Sequence, residues 1–438
     1  MTKTVTSSLR DIAYKLDVDY IIIILRISNQ DVTCIELRIL SKLQGDVFMY
    51  IVGIDIGKAN HEATIIDETG TIIGKSLKFS NSHIGANKLI DYIIKNIGQS
   101  DVTFGLEATG HYWLSLYSFL LDKGYTIHVI NPIQSDSFRN LYIRQTKNDT
   151  KDSFIISEVI RFGRFTKTKL ADDKLLSLRQ LCRYRLSLVD SVSELKCRII
   201  TVLDQVFPEY EKLFSDTWGI SSKKLLEKYQ TPEEILEIDT SELASFLSES
   251  SRGQLGYAKA EKIKVAAQNT FGIKVAQSAF KFQLKQLIDQ VLFIESQIKS
   301  LDKEIEFYYN QFDCHLTSIP GIGAVTAAII LSEIGDIKRF SNSSSLVAYA
   351  GIDPTVKQSG QFSSNNNRMS KRGSPYLRRA LFLAASTCTL HESSLNDYYN
   401  KKRSEGKHHL TAVGAVAHKL THIVFAIMRD NKDYEPLS

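Results

Sequence analysis

Cysteine is scarce and scattered in this chain. The five thiols, Cys34, Cys182, Cys197, Cys314 and Cys388, lie far apart, are odd in number and never take a C-x-x-C spacing. That pattern excludes a zinc knuckle and fits a reduced, intracellular chain better than a disulfide scaffold. No apolar run reaches the roughly 18–20 residues needed to span a bilayer. The longest candidate, Tyr20–Leu25, is a short strand-like piece, and the N-terminus carries no secretory-signal pattern, so neither membrane nor export is expected. His418 and His422 stand four apart on a helical stretch, yet no third ligand or H-E-x-x-H pattern accompanies them, and they read as structural.

At 438 residues, 43% of them hydrophobic, the chain has room for two or three domains with their own cores. Its net charge of +5 is modest, but the excess is concentrated: Lys357 to Arg429 holds twelve Lys and Arg against three acids. The stretch around which the rest is organised is Tyr50–Glu68, YIVGIDIGKANHEATIIDE. An apolar run leads into Asp55-Ile56-Gly57, a polar turn follows, and a second β-type run begins at Ala63. A carboxylate at Asp55, at the end of a buried strand, is costly unless it is paired, hydrogen-bonded or bound to a metal.

Strands are expected at 50–56, 62–68, 71–79, Val102–Glu107 and Thr126–Asn131, with helices at about 83–97 and 111–123. The helix at 83–97 shows an apolar side of Ile84, Leu89, Ile90, Ile93 and Ile94. Three strands in a meander, then helix–strand–helix–strand, is the order of an RNase H-like α/β fold. Glu107 ends the fourth strand in FGLEATG, and Asp149 and Asp152 sit three apart at a helix start, hence on one face. Acids in a first turn also suit the helix dipole with no chemistry at all. Taken as four, Asp55, Glu107, Asp149 and Asp152 offer the oxygen ligands that Mg2+ takes. Two such ions about 4 Å apart can stabilise the entering and leaving oxygens of a phosphoryl transfer. Met49 directly precedes the first strand, which marks residues 1–48 as an appendage of unclear role, or as an upstream misreading of the start.

From about residue 174 the periodicity changes. Leu181, Leu188, Val192, Leu195, Ile199, Val202 and Val206 follow 3–4 spacing up to Pro208, and the spacing returns from Leu284 to Tyr308. Both read as coiled-coil seams, closing on each other as a hairpin or on another subunit. Residues 209–280 read as short helices without an assigned role. Pro320-Gly321-Ile322-Gly323 resembles a helix-hairpin-helix, in which Gly321 and Gly323 let backbone N–H groups approach a phosphate.

In combination, GIDIGKANHEA, GLEATGHYW, KNDTKD, IPGIG and SGQF…SKRGSPYLRR resemble the DEDD insertion-sequence transposases, now described as bridge-RNA-guided recombinases. The resemblance runs from Met49 to about Arg429. It implies a RuvC-like domain at 49–166 whose Asp55, Glu107, Asp149 and Asp152 hold Mg2+. It implies next a coiled-coil and helical linker at 167–312, then a mostly helical transposase domain at 313–438. By the same resemblance Ser359, in Gln358-Ser359-Gly360, is the nucleophile. Donor and target DNA, a structured guide RNA and a homo-oligomer, dimer or tetramer, are the implied partners, in a cytoplasmic, nucleoid-associated protein. Beside that chemistry, Lys371, Arg372, Arg378 and Arg379 are candidates to hold phosphates, and Gly360 permits close backbone approach.

Three other readings compete. A hydrolytic junction resolvase would use the same four acids without needing Ser359 or the long helices. A nucleic-acid scaffold would need the basic region and not the acids. An actin-like kinase shares the strand and Asp55-Ile56-Gly57, but the second glycine-rich phosphate loop and the adenosine pocket are missing after Pro132.

Overall fold

The computed structural model describes residues 49–98, 101–108, 110–130, 132–139, 149–163, 173–355, 358–359, 362–363 and 368–436. The first 48 residues, including Cys34 and Tyr20–Leu25, lie outside the described residues. The chain divides into two compact units, Met1–Lys169 and Leu170–Ser438.

In the first unit β1 (Tyr50–Asp55), β2 (Asn60–Ile66) and β3 (Ile72–Ser80) form the meander, followed by helix α1 (His83–Ile97). Strand β4 (Val102–Glu107), α2 (Trp113–Asp122), β5 (Thr126–Ile130), α3 (Pro132–Arg139) and α4 (Asp149–Arg161) complete it. The sheet order is β3-β2-β1-β4-β5, antiparallel through the meander and parallel from β1 to β5. This order is compatible with an RNase H-like fold. Alternation along β1 divides its side chains between two layers: Val52 and Ile54 join Leu89, Phe104, Leu106 and Leu120, while Ile51 joins Ile66, Ile130, Ile156 and Val159. Ser82 caps α1 by accepting the Gly85 N–H at 3.1 Å. Leu89, Ile90 and Ile93 are buried, but Ile84 is 83% and Ile94 49% exposed. The apolar stripe of α1 is therefore narrower than the sequence suggests, because only one side of the helix faces the sheet.

The second unit opens with two long helices, α5 (Asp173–Val206) and, after four short ones, α10 (Gln277–Tyr309). Between them lie α6 (Ile220–Lys228), α7 (Pro232–Glu237), α8 (Thr240–Ser250) and α9 (Tyr257–Gln268). The long helices pack antiparallel within one chain. Arg185 pairs with Asp302 near one end, Lys196 with Glu295 (3.2 Å) midway, and the Ile273 N–H donates to Gln205 O at the other end. Leu195, Ile199 and Val202 meet Leu284, Ile288 and Val291 in a core that also takes Leu225, Leu243, Leu247 and Ile263 from the short helices. Residues 209–280 thus cap one end of the helix pair.

The remainder comprises α11 (Ala324–Ile334), α12 (Ser343–Ala350), a ribbon of β6 (Gln358–Ser359) and β7 (Phe362–Ser363), α13 (Pro375–His391), α14 (Ser393–Ser404) and α15 (His409–Asp430). Its core continues into Leu178, Cys182 and Leu186 of α5 and Ile305 and Tyr309 of α10. An ion pair with a buried carboxylate ties it together: Glu333, 1% exposed, accepts from Arg183 Nε (2.6 Å) and Nη2 (3.1 Å) and from Ser374 Oγ (2.7 Å). Ser374 in turn caps α13 through the Leu377 N–H. By length and composition α15 could cross a membrane, but half of its apolar window is buried in this core.

The element before Pro320 differs from the expected helix-hairpin-helix. It is a single 3-10 turn, Leu316–Ser318, rather than an α-helix.

Candidate active site and its family

Asp55 closes β1 and Glu107 closes β4. The strands are parallel neighbours, and the register that pairs Ile54 with Leu106 brings the two carboxylates to the same edge of the sheet. What brings Asp152 there is a pair of glycines. Gly53 and Gly105 face each other across β1 and β4, and helix α4 lies on them. A Cβ on Gly53 would stand 2.1 Å from Ser153 O, and one on Gly105 2.7 Å from Ile160 Cγ1. Only residues without a side chain let the helix come so close.

The direction of α4 follows from its other contacts. Ser153 Oγ and Thr64 Oγ1 share a buried 2.6 Å hydrogen bond, whereas Glu158 and Arg161 abut Gly70 in the β2–β3 turn, at the opposite end of the sheet. Helix α4 therefore begins at the Asp55 and Glu107 edge. Asp152, in its first turn, is 7% exposed. Asp149 is the first residue of the helix, and its side chain lies outside the described residues.

The surroundings hold these groups in place. Ser135 Oγ of α3 donates to Glu107 Oε2 at 2.6 Å. His61, 2% exposed and set edge-on to Phe79, accepts the Gly57 N–H at Nδ1 (3.3 Å), which fixes the turn after Asp55. That bond leaves the proton of the neutral ring on Nε2, which is buried without a hydrogen-bond partner. Burial pushes the imidazole below the ordinary histidine value. The Asn81 side chain, close to the ring but outside hydrogen-bonding geometry, opposes that shift. A cleft of about 230 Å³ beside these groups is lined by Asp55, Gly57, Asn60, His61, Glu62 and Lys78.

Carboxylate oxygens at one sheet edge are the donor set that Mg2+ takes, so the chemistry of these residues fits the ion. Among the described residues no three His, Cys, Asp or Glu side chains close around a single point.

Comparison with known proteins decides the class. A family model described as a transposase, of the DEDD IS110 type, matches residues 52–208. A second, the transposase IS116/IS110/IS902 family, matches residues 314–400, and together they take in more than half of the chain. This chain belongs to the IS110/IS116 family of transposases. It is accordingly a DNA-processing enzyme of the transposase and recombinase type. The 44.8 kDa protein of insertion element IS116 from Streptomyces clavuligerus is 25% identical over 389 residues, 88% of this chain and 96% of the relative. The 42 kDa protein of insertion element IS900 from Mycobacterium paratuberculosis is 26% identical over 395 residues, again 88% and 96%. The pilin gene-inverting protein of Moraxella lacunata is 22% identical over 389 residues, 88% and 97%.

In the second unit of the transposase, Ser359 pairs with Phe362 in the short ribbon that extends beyond a Pro354–Met369 bridge. The Ser359 side chain and all of Gly360 lie outside the described residues. Of the four candidate phosphate cations, Lys371 and Arg372 are exposed, with Lys371 at a positive φ of 53°. The other two have partners within the chain. Arg378 Nη1 donates to Ala350 O at 3.2 Å, and Arg379 pairs with Asp190 of α5 at 2.7 Å. Gly321, at φ 96°, lies so close to α13 that a Cβ would meet Cys388 N at 2.9 Å, so its lack of a side chain serves packing. Gly323 is open and caps α11 without a side-chain bond. His422 Nδ1 lies 2.7 Å from Ser343 Oγ, and the His418 ring lies against it at 4.9 Å, tilted by 43°.

Several contributors were not singled out in the sequence: Ser135, the Gly53–Gly105 pair, His61, Glu62 and Lys78. Period-two alternation counted from Asp55 would have found the glycines. Ser135 carried no signal, because only the fold brings α3 to Glu107.

Proposed function

We propose that this transposase cuts and rejoins DNA by attack of the Ser359 hydroxyl on a phosphodiester seated at the edge formed by Asp55, Glu107, Asp149 and Asp152. Mg2+ is the cofactor in this reading, and a structured guide RNA selects the DNA. The observation that supports it most is that Asp55, Glu107 and the start of α4 meet at one edge of the sheet. Mg2+ held by the four carboxylates would polarise the phosphate and ease displacement of the leaving oxygen.

The chain's own residues do the rest. Ser135 orients Glu107, the Thr64–Ser153 bond and the two glycines hold α4 against β1, and His61 fixes the turn behind Asp55. A serine hydroxyl is a weak nucleophile until its proton is removed. On attack a Ser359 Oγ–P bond forms and the P–O bond to the departing strand breaks; the serine gives up its proton and the departing oxygen gains one. The phosphoserine link conserves the phosphodiester for rejoining. Lys371, Arg372 and the open Gly323 turn contact DNA or RNA phosphates. The α5–α10 pair serves as a coiled coil for oligomer formation, in a division into 49–166, 167–312 and 313–438. Serine and acids belong to different subunits in this reading.

Strand exchange by Ser359→Ala and Asp55→Ala proteins, alone and mixed, tests it. Each alone is expected to be inactive, and mixed assemblies to recover part of the activity. Recovery failing in demonstrably mixed oligomers refutes the trans arrangement. Exchange by Ser359→Ala alone refutes the serine mechanism and leaves a hydrolytic resolvase.

A further inference from the structure

Four charged side chains cross the sheet in one row at the acid edge. Lys78 of β3 is in register with Glu62 of β2, Glu62 with Asp55 of β1, and Glu107 stands next to Asp55 on β4. Alternation puts all four on the face that carries α4. Gly53 and Gly105, two residues before Asp55 and Glu107, touch α4; Thr64, two residues after Glu62, bonds Ser153; Phe79, adjacent to Lys78, is buried in the opposite layer.

Lys78 therefore shares more than a strand order with Asp55. Both line the same cleft of about 230 Å³. A lysine on an edge strand is ordinarily a device against edge-to-edge pairing, or half of a cross-strand ion pair. Here its direct cross-strand neighbour is Glu62, yet Lys78 forms no ion pair among the described residues. Its ammonium remains available on the rim of a cleft whose floor is carboxylate. A phosphodiester brought to Asp55 carries further phosphates along its strand. Lys78 lies two strand spacings out, about 10 Å from Asp55. The four-carbon stem of lysine brings its charge to a phosphate beside the reacting one rather than to the reacting one itself.

We propose that Lys78 is a positioning residue of the acid cleft, contacting a backbone phosphate next to the one seated at Asp55. The inference rests on the acid-edge reading above and adds to it the path of the nucleic-acid strand, out over β2 and β3.

The test uses the full chain and a labelled mixed-sequence single-stranded DNA, with binding followed by anisotropy across a salt series. Lys78→Met is expected to reduce the slope of log K against log salt by about 0.7, one phosphate contact on a single strand. Lys78→Arg is expected to keep the wild-type slope. Lys75→Met, exposed on the same strand and not among the residues that line the cleft, serves as the control for general surface charge. A lysine that only stabilised the sheet would change melting temperature and leave the slope alone. Mn2+-induced thermal stabilisation of wild type and Asp55→Ala is measured in parallel. If Asp55→Ala keeps the metal response, the acid-edge reading itself fails. If Asp55→Ala loses it while Lys78→Met and Lys75→Met have the same slope, the Lys78 proposal alone is overturned.

Discussion

Gly53→Ala should damage this enzyme more than its size suggests. The added Cβ would stand 2.1 Å from Ser153 O and 2.4 Å from Ser157 N, against a floor of about 3.0 Å for real Cβ contacts. Both atoms are helix backbone, so no side chain can rotate out of the way. Relief requires α4 to move off β1 by about 1 Å or more, taking Asp152 with it and stretching the 2.6 Å Thr64–Ser153 bond. Overpacking of this kind costs about 1–3 kcal/mol, and a 1 Å misplacement of catalytic groups costs about 100-fold in rate. Gly105→Ala should be milder, because its nearest contact is the Ile160 side chain at 2.7 Å, which can change rotamer. Gly256→Ala, at ordinary φ with nothing within 4 Å, is the control. Thermal melting and strand-exchange rate are the assays. A Gly53→Ala protein that melts and reacts like Gly256→Ala would refute the role given to the glycine pair.

Arg183→Met leaves the buried Glu333 carboxylate with the Ser374 hydroxyl and the nearby Arg179 charge; because Arg183 is 41% exposed and Arg179 remains, the expected loss is about 1–3 kcal/mol, below that of a fully broken buried pair. Chemical denaturation measures it, and a loss below about 0.5 kcal/mol would place this pair with ordinary surface bridges. The folded state holds the His61 pKa below the unfolded value of 6.5, so its contribution is present above that pH and lost as pH falls toward the folded value. Melting followed from neutral into acid should fall less steeply in His61→Gln than in wild type; equal slopes would contradict the assignment.

Much of this protein was decided by local pattern. Alternating apolar residues and turn signals specify the five strands, and 3–4 spacing specifies the long helices, because both periodicities are properties of the backbone that short windows carry. The acids were legible for the same reason: Asp55 and Glu107 each interrupt an apolar strand at its end. Other features needed the tertiary structure. The seams of α5 and α10 were equally consistent with an intramolecular hairpin or another subunit. The antiparallel closure within the chain arises from contacts such as Arg185–Asp302, more than a hundred residues apart. Arg378 and Arg379 read in sequence as candidates to hold phosphates, and the fold adds Ala350 O and Asp190 as partners within the chain. Gly321 read as an approach for phosphate, and only the fold adds its close packing against α13. The row from Lys78 to Glu107 exists only through strand register, a long-range pairing that no single segment encodes.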